Sequence, residues 1–128
     1  MSESQTALII EDDDDIRRLL EVVLEQSGFT VQSAPNGTDG IAALSAKASE
    51  GAAFTLVTVD IGLPDIDGNE VVRRIRPDFN GVIAVISARS TESDKATALT
   101  AGADVFLTKP FRPRIIREQI ATALAERN

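Results

Sequence analysis

The sequence of 128 residues contains no cysteine, no histidine, no tryptophan and no tyrosine. Without cysteine the chain can form neither disulfides nor thiolate metal sites. Without histidine it has no Ser-His-Asp or Cys-His nucleophile pair and no ordinary zinc site. Any metal ion that this chain binds must therefore be held by oxygen ligands.

Basic residues are also few: 13 lysines and arginines stand against 20 aspartates and glutamates, a formal net charge of −7. This balance argues against direct nucleic-acid binding, because phosphate backbones are bound by clustered lysine and arginine. No apolar run approaches the roughly 20 residues that span a bilayer. Residues 1–6 carry no basic region before an apolar stretch, so no signal peptide is expected. We expect a cytoplasmic protein without membrane contacts.

The length and composition are those of one ordinary globular domain. Hydrophobic residues make up 43% and charged residues 26% of the chain, and a chain of this length buries a sufficient core without disulfides. The sequence shows no internal repeat and no linker to a second domain. We therefore expect residues 1–128 to form a single domain.

Strand and helix patterns alternate five times along the chain. Apolar residues at i, i+3, i+4, i+7 and i+8 from Ile16 predict the first helix. Three of the strand candidates are nearly continuous apolar runs, which is typical of strands covered on both faces. The strand candidates are residues 7–10, 30–34, 55–59, 82–86 and 105–108, and the later helices are predicted around residues 41–48, 71–75, 91–101 and 116–124. Gly28, Gly51 and Gly102 each follow a helix, where a left-handed cap favours glycine.

Five strand–helix units with short connections predict a doubly wound α/β fold. Such units give a parallel sheet with right-handed crossovers and helices on both faces. In an open sheet of this kind, ligands bind outside the carboxyl ends of the strands. The residues at that edge are therefore the candidates for a functional site.

Five polar residues follow the predicted strands. They are Glu11 and Asp12 after the first strand, Asp60 after the third, Ser87 after the fourth and Lys109 after the fifth. Each alone has an ordinary explanation as a helix cap, a turn former or a solvated lysine, and residues 13–15 are best explained as acids at a helix N-terminus. Their joint placement at one edge of the sheet indicates a site instead.

The expected site is strongly acidic and favours a cation. Carboxylates about 5 Å apart repel by roughly 3 kcal/mol per pair at an effective dielectric near 20. All-oxygen ligands with room for water and a phosphate oxygen suit Mg²⁺. A carboxylate can then act as the nucleophile and form an acyl phosphate, while the cation, the lysine and the hydroxyl spread the developing charge.

Four segments of the chain have a recognisable pattern: residues 8–13 (LIIEDD), 59–68 (VDIGLPDIDG), 101–104 (AGAD) and 107–111 (LTKPF). Together they resemble the receiver domains of bacterial two-component response regulators. The resemblance extends from about residue 6 to residue 127, and it implies a flavodoxin-like sheet of order 2-1-3-4-5 with five helices.

The resemblance assigns a role to each residue of the acidic edge. Asp60 matches the phosphoacceptor. Glu11 and Asp12 match the acidic pair that positions Mg²⁺ together with Asp60, with the main-chain carbonyl of Gly62 as a further ligand. Glutamate at position 11 replaces the commoner aspartate and keeps the charge.

The resemblance also implies a switch. Ser87 and Lys109 match the hydroxyl and the amine that meet the phosphoryl group. Phe106 matches an aromatic residue whose rotation, coupled to Ser87, reports phosphorylation, although a simple core phenylalanine explains it equally well. Pro110 follows Lys109 in a bond that is cis in the family.

The implied partners are a sensor histidine kinase or a histidine phosphotransfer protein, because this chain has no histidine and cannot be the donor. The output would pass through the face of the fourth helix, fifth strand and fifth helix to an effector domain or protein. In winged-helix regulators, acids that form inter-subunit ion pairs stand where this chain has Thr100, Val105 and Arg114. We therefore expect a monomer, or a phosphorylation-dependent dimer of another geometry.

Two other functions remain as alternatives to a switch with weak self-catalysed phosphorylation and dephosphorylation. A Mg²⁺-dependent phosphohydrolase with an aspartyl nucleophile usually has a second acid two residues further on, and this position is Gly62. An interaction module without phosphorylation would not need the complete set of acids, serine and lysine. The chain carries no effector domain, as expected of a stand-alone receiver or of one part of a longer regulator.

Overall fold

A computed structural model describes residues 5–127 of the chain. The expectation about a signal peptide falls mainly on residues 1–4, which lie outside this range. The elements, in chain order, are β1 (Gln5–Ile10), α1 (Asp14–Gln26), β2 (Phe29–Ala34), α2 (Gly37–Ser49), β3 (Leu56–Asp60), α3 (Gly68–Ile75), a 3-10 turn (Arg76–Asp78), β4 (Val82–Ser87), α4 (Glu92–Ala101), β5 (Val105–Thr108) and α5 (Pro113–Arg127).

The five strands form one parallel sheet in the order β2-β1-β3-β4-β5, which confirms the predicted doubly wound fold. Two boundaries differ from the expectation in a way that concerns the site. Asp60 pairs with Ile86, and Ser87 pairs with Thr108. Both polar residues are therefore the last members of their strands rather than the first residues after them, and the sheet itself fixes their backbones.

Two separate apolar clusters cover the two faces of the sheet. Ala7 and Ile9 of β1 face the cluster formed with α1 and α5, whereas Leu8 and Ile10 face the cluster formed with α2, α3 and α4. Successive side chains of a strand point to opposite faces, so a strand buried on both sides needs an unbroken apolar run. Within residues 5–127, no helix combines the length and the apolarity needed to cross a bilayer.

The helix ends follow the sequence signals. Gly28, Gly51 and Gly102 have positive φ angles of 97°, 77° and 124°, which confirms the predicted left-handed caps. Asp13 caps α1 by accepting the amide of Ile16 at 2.9 Å. The acidic run that begins there thus lies at the positive end of a helix dipole, as expected.

The fourth helix is weakly attached to the sheet. Its one large apolar residue, Leu99, is 53% exposed, and the residues that it buries are Ala98 and Ala101. Two alanine side chains bury little apolar surface, so the residues that α4 fully buries contribute little to holding it on the sheet.

Candidate functional site

All five polar residues predicted for the edge of the sheet converge on one cleft of about 370 Å³. The cleft opens at the carboxyl ends of β1, β3, β4 and β5. Its lining consists of Glu11, Asp12, Asp13, Asp60, Ile61, Gly62, Ser87, Ala88, Arg89 and Lys109. These residues therefore lie at the edge where the rule for open α/β sheets expects a ligand site.

Three carboxylates form the floor and one wall of the cleft. Glu11, Asp12 and Asp60 each bring one oxygen within 4.8 Å of the others. Glu11 is fully buried and Asp60 is 5% exposed, whereas Asp12 faces solvent. The backbone of Glu11 is held by β2, because its amide donates to the carbonyl of Ala34 at 3.0 Å.

Lys109 is the basic group that faces these acids. Its Nζ lies 3.4 Å from Oδ1 of Asp60 and 3.7 Å from Oε1 of Glu11. Its backbone amide donates to the carbonyl of Ser87 at 2.8 Å, and the bond to Pro110 is cis, as predicted. If all three carboxylates are ionised, they exceed the one ammonium by two negative charges, which is the charge that one divalent cation would neutralise.

Glu11 is the most perturbed group of the site. Burial, followed by the contact with Asp60, raises the pKa of Glu11 from 4.5 to about 8, and the nearby Lys109 only partly opposes this rise. Its Oε2 accepts the amide of Asp13 at 3.2 Å, but its buried Oε1 has no hydrogen-bond partner. A buried carboxylate oxygen without a donor, beside two further carboxylates, is suited to bind a hard cation such as Mg²⁺.

Gly62 and Ser87 complete the cleft. The amide of Gly62 donates to Oδ1 of Asp60 at 3.3 Å, so the loop after β3 folds back over the carboxylate. The hydroxyl oxygen of Ser87 accepts the amide of Arg89 at 3.0 Å. Since this contact uses a lone pair of the oxygen, the hydroxyl proton can still be donated into the cleft.

Arg89 is a lining residue that the sequence analysis missed. Its side chain is 79% exposed and lies 3.8 Å from Asp94 at the start of α4. A basic residue two positions after Ser87 was the available signal, but a charged residue in a loop is usually solvated.

Phe106 does not line the cleft. It is half-buried on β5 and contributes to two surface grooves, one of about 440 Å³ beside Glu118 and one of about 310 Å³ beside Lys95. The structure thus places Phe106 on the outer face between α4 and α5, one strand residue before Leu107 and three residues before Lys109.

The fold and the acidic cleft define the class of flavodoxin-like domains with an acidic site at the carboxyl edge of the sheet. The sequence profile described as the response regulator receiver domain matches residues 7–121. The chain belongs to this family, whose members are signalling domains of two-component systems, and the resemblance noted in the sequence is confirmed.

Relatives of known sequence and structure agree with this assignment. The chain is 38% identical over 120 residues to the uncharacterized transcriptional regulatory protein YkoG of Bacillus subtilis, covering 93% of this chain and 50% of that protein. It is 39% identical over 117 residues to the KDP operon regulator KdpE of Escherichia coli, covering 91% and 50%. The chain therefore spans about half the length of these regulators.

Solved structures show the same fold. A CheY-like receiver domain protein from Methanospirillum hungatei superimposes with a TM-score of 0.84 at 29% identity, covering 98% of this chain and 97% of that one. A two-component response regulator from Clostridium difficile gives a TM-score of 0.86 at 25% identity, covering 98% and 99%.

Proposed function

We propose that this domain is a phosphorylation-controlled switch in which Asp60 accepts a phosphoryl group from a phosphohistidine protein in a Mg²⁺-dependent reaction. The observation that carries the proposal is the position of Asp60. Its carboxylate lies at the floor of the open cleft, 3.4 Å from the Lys109 ammonium and beside two further acids. It is an acceptor with a cationic partner already in place.

The other two acids are poorer nucleophiles. Glu11 is fully buried and its raised pKa keeps a proton on the site at neutral pH in the absence of a cation. Asp12 is exposed and lies outside the ion pairs that Lys109 forms. Asp60 combines access to the cleft with stabilisation by Lys109, so attack by its carboxylate is favoured.

In the proposed reaction an oxygen of Asp60 attacks the phosphorus, the P–N bond to the donor imidazole breaks, and the imidazole leaves as the phosphorus–oxygen bond forms. Mg²⁺, held by Glu11, Asp12, Asp60 and the main-chain carbonyl of Gly62, would neutralise charge on the phosphoryl oxygens.

Two protein groups assist the same transfer. The Lys109 ammonium pairs with a phosphoryl oxygen, and the Ser87 hydroxyl donates to another. Because the chain contains no histidine, the donor is a separate sensor kinase or phosphotransfer protein. The same groups support weak self-catalysed phosphorylation by small phosphodonors and slow hydrolysis of the acyl phosphate.

The proposed output is a shift of the face formed by α4, β5 and α5. The loose attachment of α4 and the half-buried ring of Phe106 support this assignment. Movement of the Ser87 hydroxyl toward a phosphoryl group would open space near β5 for the ring. Reversing a 1:99 equilibrium needs about 5.5 kcal/mol of differential interaction, so a partial shift is expected from one hydrogen bond and one ion pair. The shifted face would signal to an effector domain or protein.

Three positions of that face argue against a dimer of the winged-helix type, of which Thr100 and Arg114 are exposed and Val105 is buried. Thr100, Val105 and Arg114 stand where acids of the inter-subunit ion pairs would be required. A monomer, or a dimer of different geometry, is therefore proposed for the phosphorylated form.

Labelling by acetyl phosphate and Mg²⁺, followed by intact-mass analysis, tests the acceptor. Wild type should gain one phosphoryl group, and Asp60→Asn should gain none. Asp67→Asn is the matched control, because it removes an exposed carboxylate from the loop after β3 without touching the cleft. Equal labelling of Asp60→Asn and wild type would refute the assignment.

A further inference from the structure

The loop that carries Gly62 is tied to a distant helix by one side chain. Asp65, in the loop between β3 and α3, accepts the amides of Gly37 and Thr38 at 2.8 and 2.9 Å and the hydroxyl of Thr38 at 2.6 Å. Gly37 and Thr38 are the first two residues of α2. We call these three hydrogen bonds the Asp65 strap.

The strap completes the N-terminus of α2. The first amides of a helix have no partner within the helix. The side-chain oxygen of Asn36 accepts the amide of Asp39 at 2.7 Å, and the amide of Gly40 makes the first intrahelical hydrogen bond, to the carbonyl of Asn36. The two remaining amides are satisfied by Asp65, a residue 27 and 28 positions away.

The strap is a charged contact at the positive end of a helix dipole. The hydroxyl and amide of Thr38 hold the pKa of Asp65 well below its usual range, so the carboxylate is ionised at neutral pH. The contact is also close. A Cβ at Gly37 would lie 3.0 Å from Val71 of α3 and 3.2 Å from Ile66 of the loop, so these side chains would have to shift by a few tenths of an ångström to admit it.

The part of the loop nearest the site is anchored on the side of Ile61, whose amide donates to the carbonyl of Ile86 at 2.9 Å and whose carbonyl accepts the amide of Gly68 at 3.0 Å. On its other side, the next contact that ties the loop to another element is the Asp65 strap. Gly62 is exposed, and a Cβ there would meet nothing within 4 Å. Its contact with the site is the hydrogen bond that its backbone amide donates to Oδ1 of Asp60 at 3.3 Å. This carboxylate is the group that the proposed reaction modifies. Glycine in open space has the largest conformational freedom of any residue, so the position of its carbonyl must be set by the neighbouring residues.

The helix that the strap uses is itself fixed beside the acidic pair. Only Pro35 and Asn36 separate Gly37 from Ala34, and the carbonyl of Ala34 accepts the amide of Glu11 at 3.0 Å. The strap therefore connects the loop of Gly62 to the backbone that positions Glu11. The two halves of the proposed cation site are linked through β2 and the start of α2.

We propose that Asp65 is a positioning residue of the cation site, which holds the Gly62 carbonyl in register with the carboxylates of Glu11, Asp12 and Asp60. The proposal rests on the proposed function, because it assigns the Gly62 carbonyl to a Mg²⁺ ion. Breaking the strap releases the loop, so each binding event must then order the loop and binds the cation more weakly.

The test uses Mg²⁺ titrations of ¹⁵N-labelled protein, followed by amide chemical shifts, because the chain has no tryptophan or tyrosine for fluorescence. Asp65→Asn should raise the Kd for Mg²⁺ about three- to tenfold, and Thr38→Val, which changes no charge, about two- to threefold, as expected for loss of side-chain hydrogen bonds. Thr38→Ser keeps the hydroxyl and should restore the wild-type Kd. Asp39→Asn removes a charge from the same helix end outside the strap and should stay within about twofold of wild type.

Measurements on the metal-free proteins separate positioning from stability. Hydrogen exchange at Gly37 and Thr38 reports whether the strap is broken, relaxation at Gly62 reports the order of the loop, and urea unfolding confirms that each variant is folded. If the strap is broken but Asp65→Asn and Thr38→Val bind Mg²⁺ as wild type does, the positioning role is wrong and the proposed function stands. If wild type shows no Mg²⁺ response while Asp65→Asn disorders Gly62, the proposed function fails and Asp65 remains the anchor of the loop.

Discussion

Glu11→Gln should remove a pH dependence of stability that the buried acid imposes on the metal-free domain. Glutamine has the size of protonated glutamic acid but cannot ionise. In the wild type, burial and the neighbouring Asp60 raise the pKa of Glu11 from 4.5 to about 8. The variant therefore isolates the cost of the charge from the packing of the side chain.

The sign follows from proton linkage. Between pH 4.5 and about 8 the folded state keeps the Glu11 proton, while the unfolded chain has lost it. The slope of the unfolding free energy with pH is proportional to the protons bound in the unfolded state minus those bound in the native state, and this difference is negative. The contribution of protonated Glu11 to the unfolding free energy is fully present below pH 4.5 and is lost as the pH rises through about 8.

The magnitude is large for a domain of this size. One pKa unit corresponds to about 1.4 kcal/mol, so the complete rise of the Glu11 pKa corresponds to about 5 kcal/mol at most. Typical unfolding free energies are only about 5–15 kcal/mol. We expect wild type to lose a substantial part of its stability between pH 5 and pH 9, and Glu11→Gln to lose little.

Urea unfolding in EDTA, followed by far-ultraviolet circular dichroism from pH 5 to pH 9, measures the effect. Histidine and cysteine are the side chains whose ordinary pKa values fall in this interval, and the chain has neither. Other side chains therefore contribute little to the pH dependence of the unfolding free energy. Asp12→Asn is the control, because Asp12 is exposed and its loss should leave the slope in place. If the unfolding free energies of wild type and Glu11→Gln change in parallel with pH, burial does not raise the pKa of Glu11 as argued.

Three further predictions concern other parts of the molecule. Gly68→Ala should destabilise the domain by about 1–3 kcal/mol and abolish labelling of Asp60, because the added Cβ would lie 2.3 Å from the Asp60 carbonyl oxygen; normal melting and labelling would contradict this. Arg76→Ala should lower the unfolding free energy in urea by about 2–4 kcal/mol. The reason is that the guanidinium donates to the carbonyls of Phe79, Gly81 and Gly102 and to Asp104. Folded Arg76→Ala should still gain a phosphoryl group from acetyl phosphate as wild type does. Mg²⁺ at about ten times its Kd should stabilise wild type by about 1.4 kcal/mol, and the double variant Glu11→Ala, Asp12→Ala should show no such gain.

The residues of the cleft were predictable because two local rules were sufficient. Continuous apolar runs located the buried strands, and the rule that ligands bind at the carboxyl ends of parallel strands selected the residues that follow them. Asp60 and Ser87 were found in this way, even though each proved to be the last residue of its strand. An error of one residue in a strand boundary does not change which edge of the sheet a residue reaches.

The energetic features of the site could not be predicted in the same way. The raised pKa of Glu11 depends on its complete burial beneath neighbouring elements, and sequence spacing does not report burial. The Asp65 strap joins residues 27 and 28 positions apart. In the sequence, Asp65 was only one residue of the segment 59–68 that carries the family resemblance. Phe106 was placed on the correct strand, but its position between two grooves depends on how α4 and α5 pack.

The two ends of the sheet differ in how well their charged groups are paired. At the carboxyl end, three carboxylates face one lysine, and Oε1 of Glu11 is buried without a hydrogen-bond partner. At the amino end, Arg76 satisfies three carbonyls and Asp104 with well-formed hydrogen bonds. Unfavourable groups persist in a fold only where the surrounding structure is stable enough to hold them. The contacts of Arg76 at the amino end are therefore among those that can offset the unpaired buried oxygen of Glu11 at the other end.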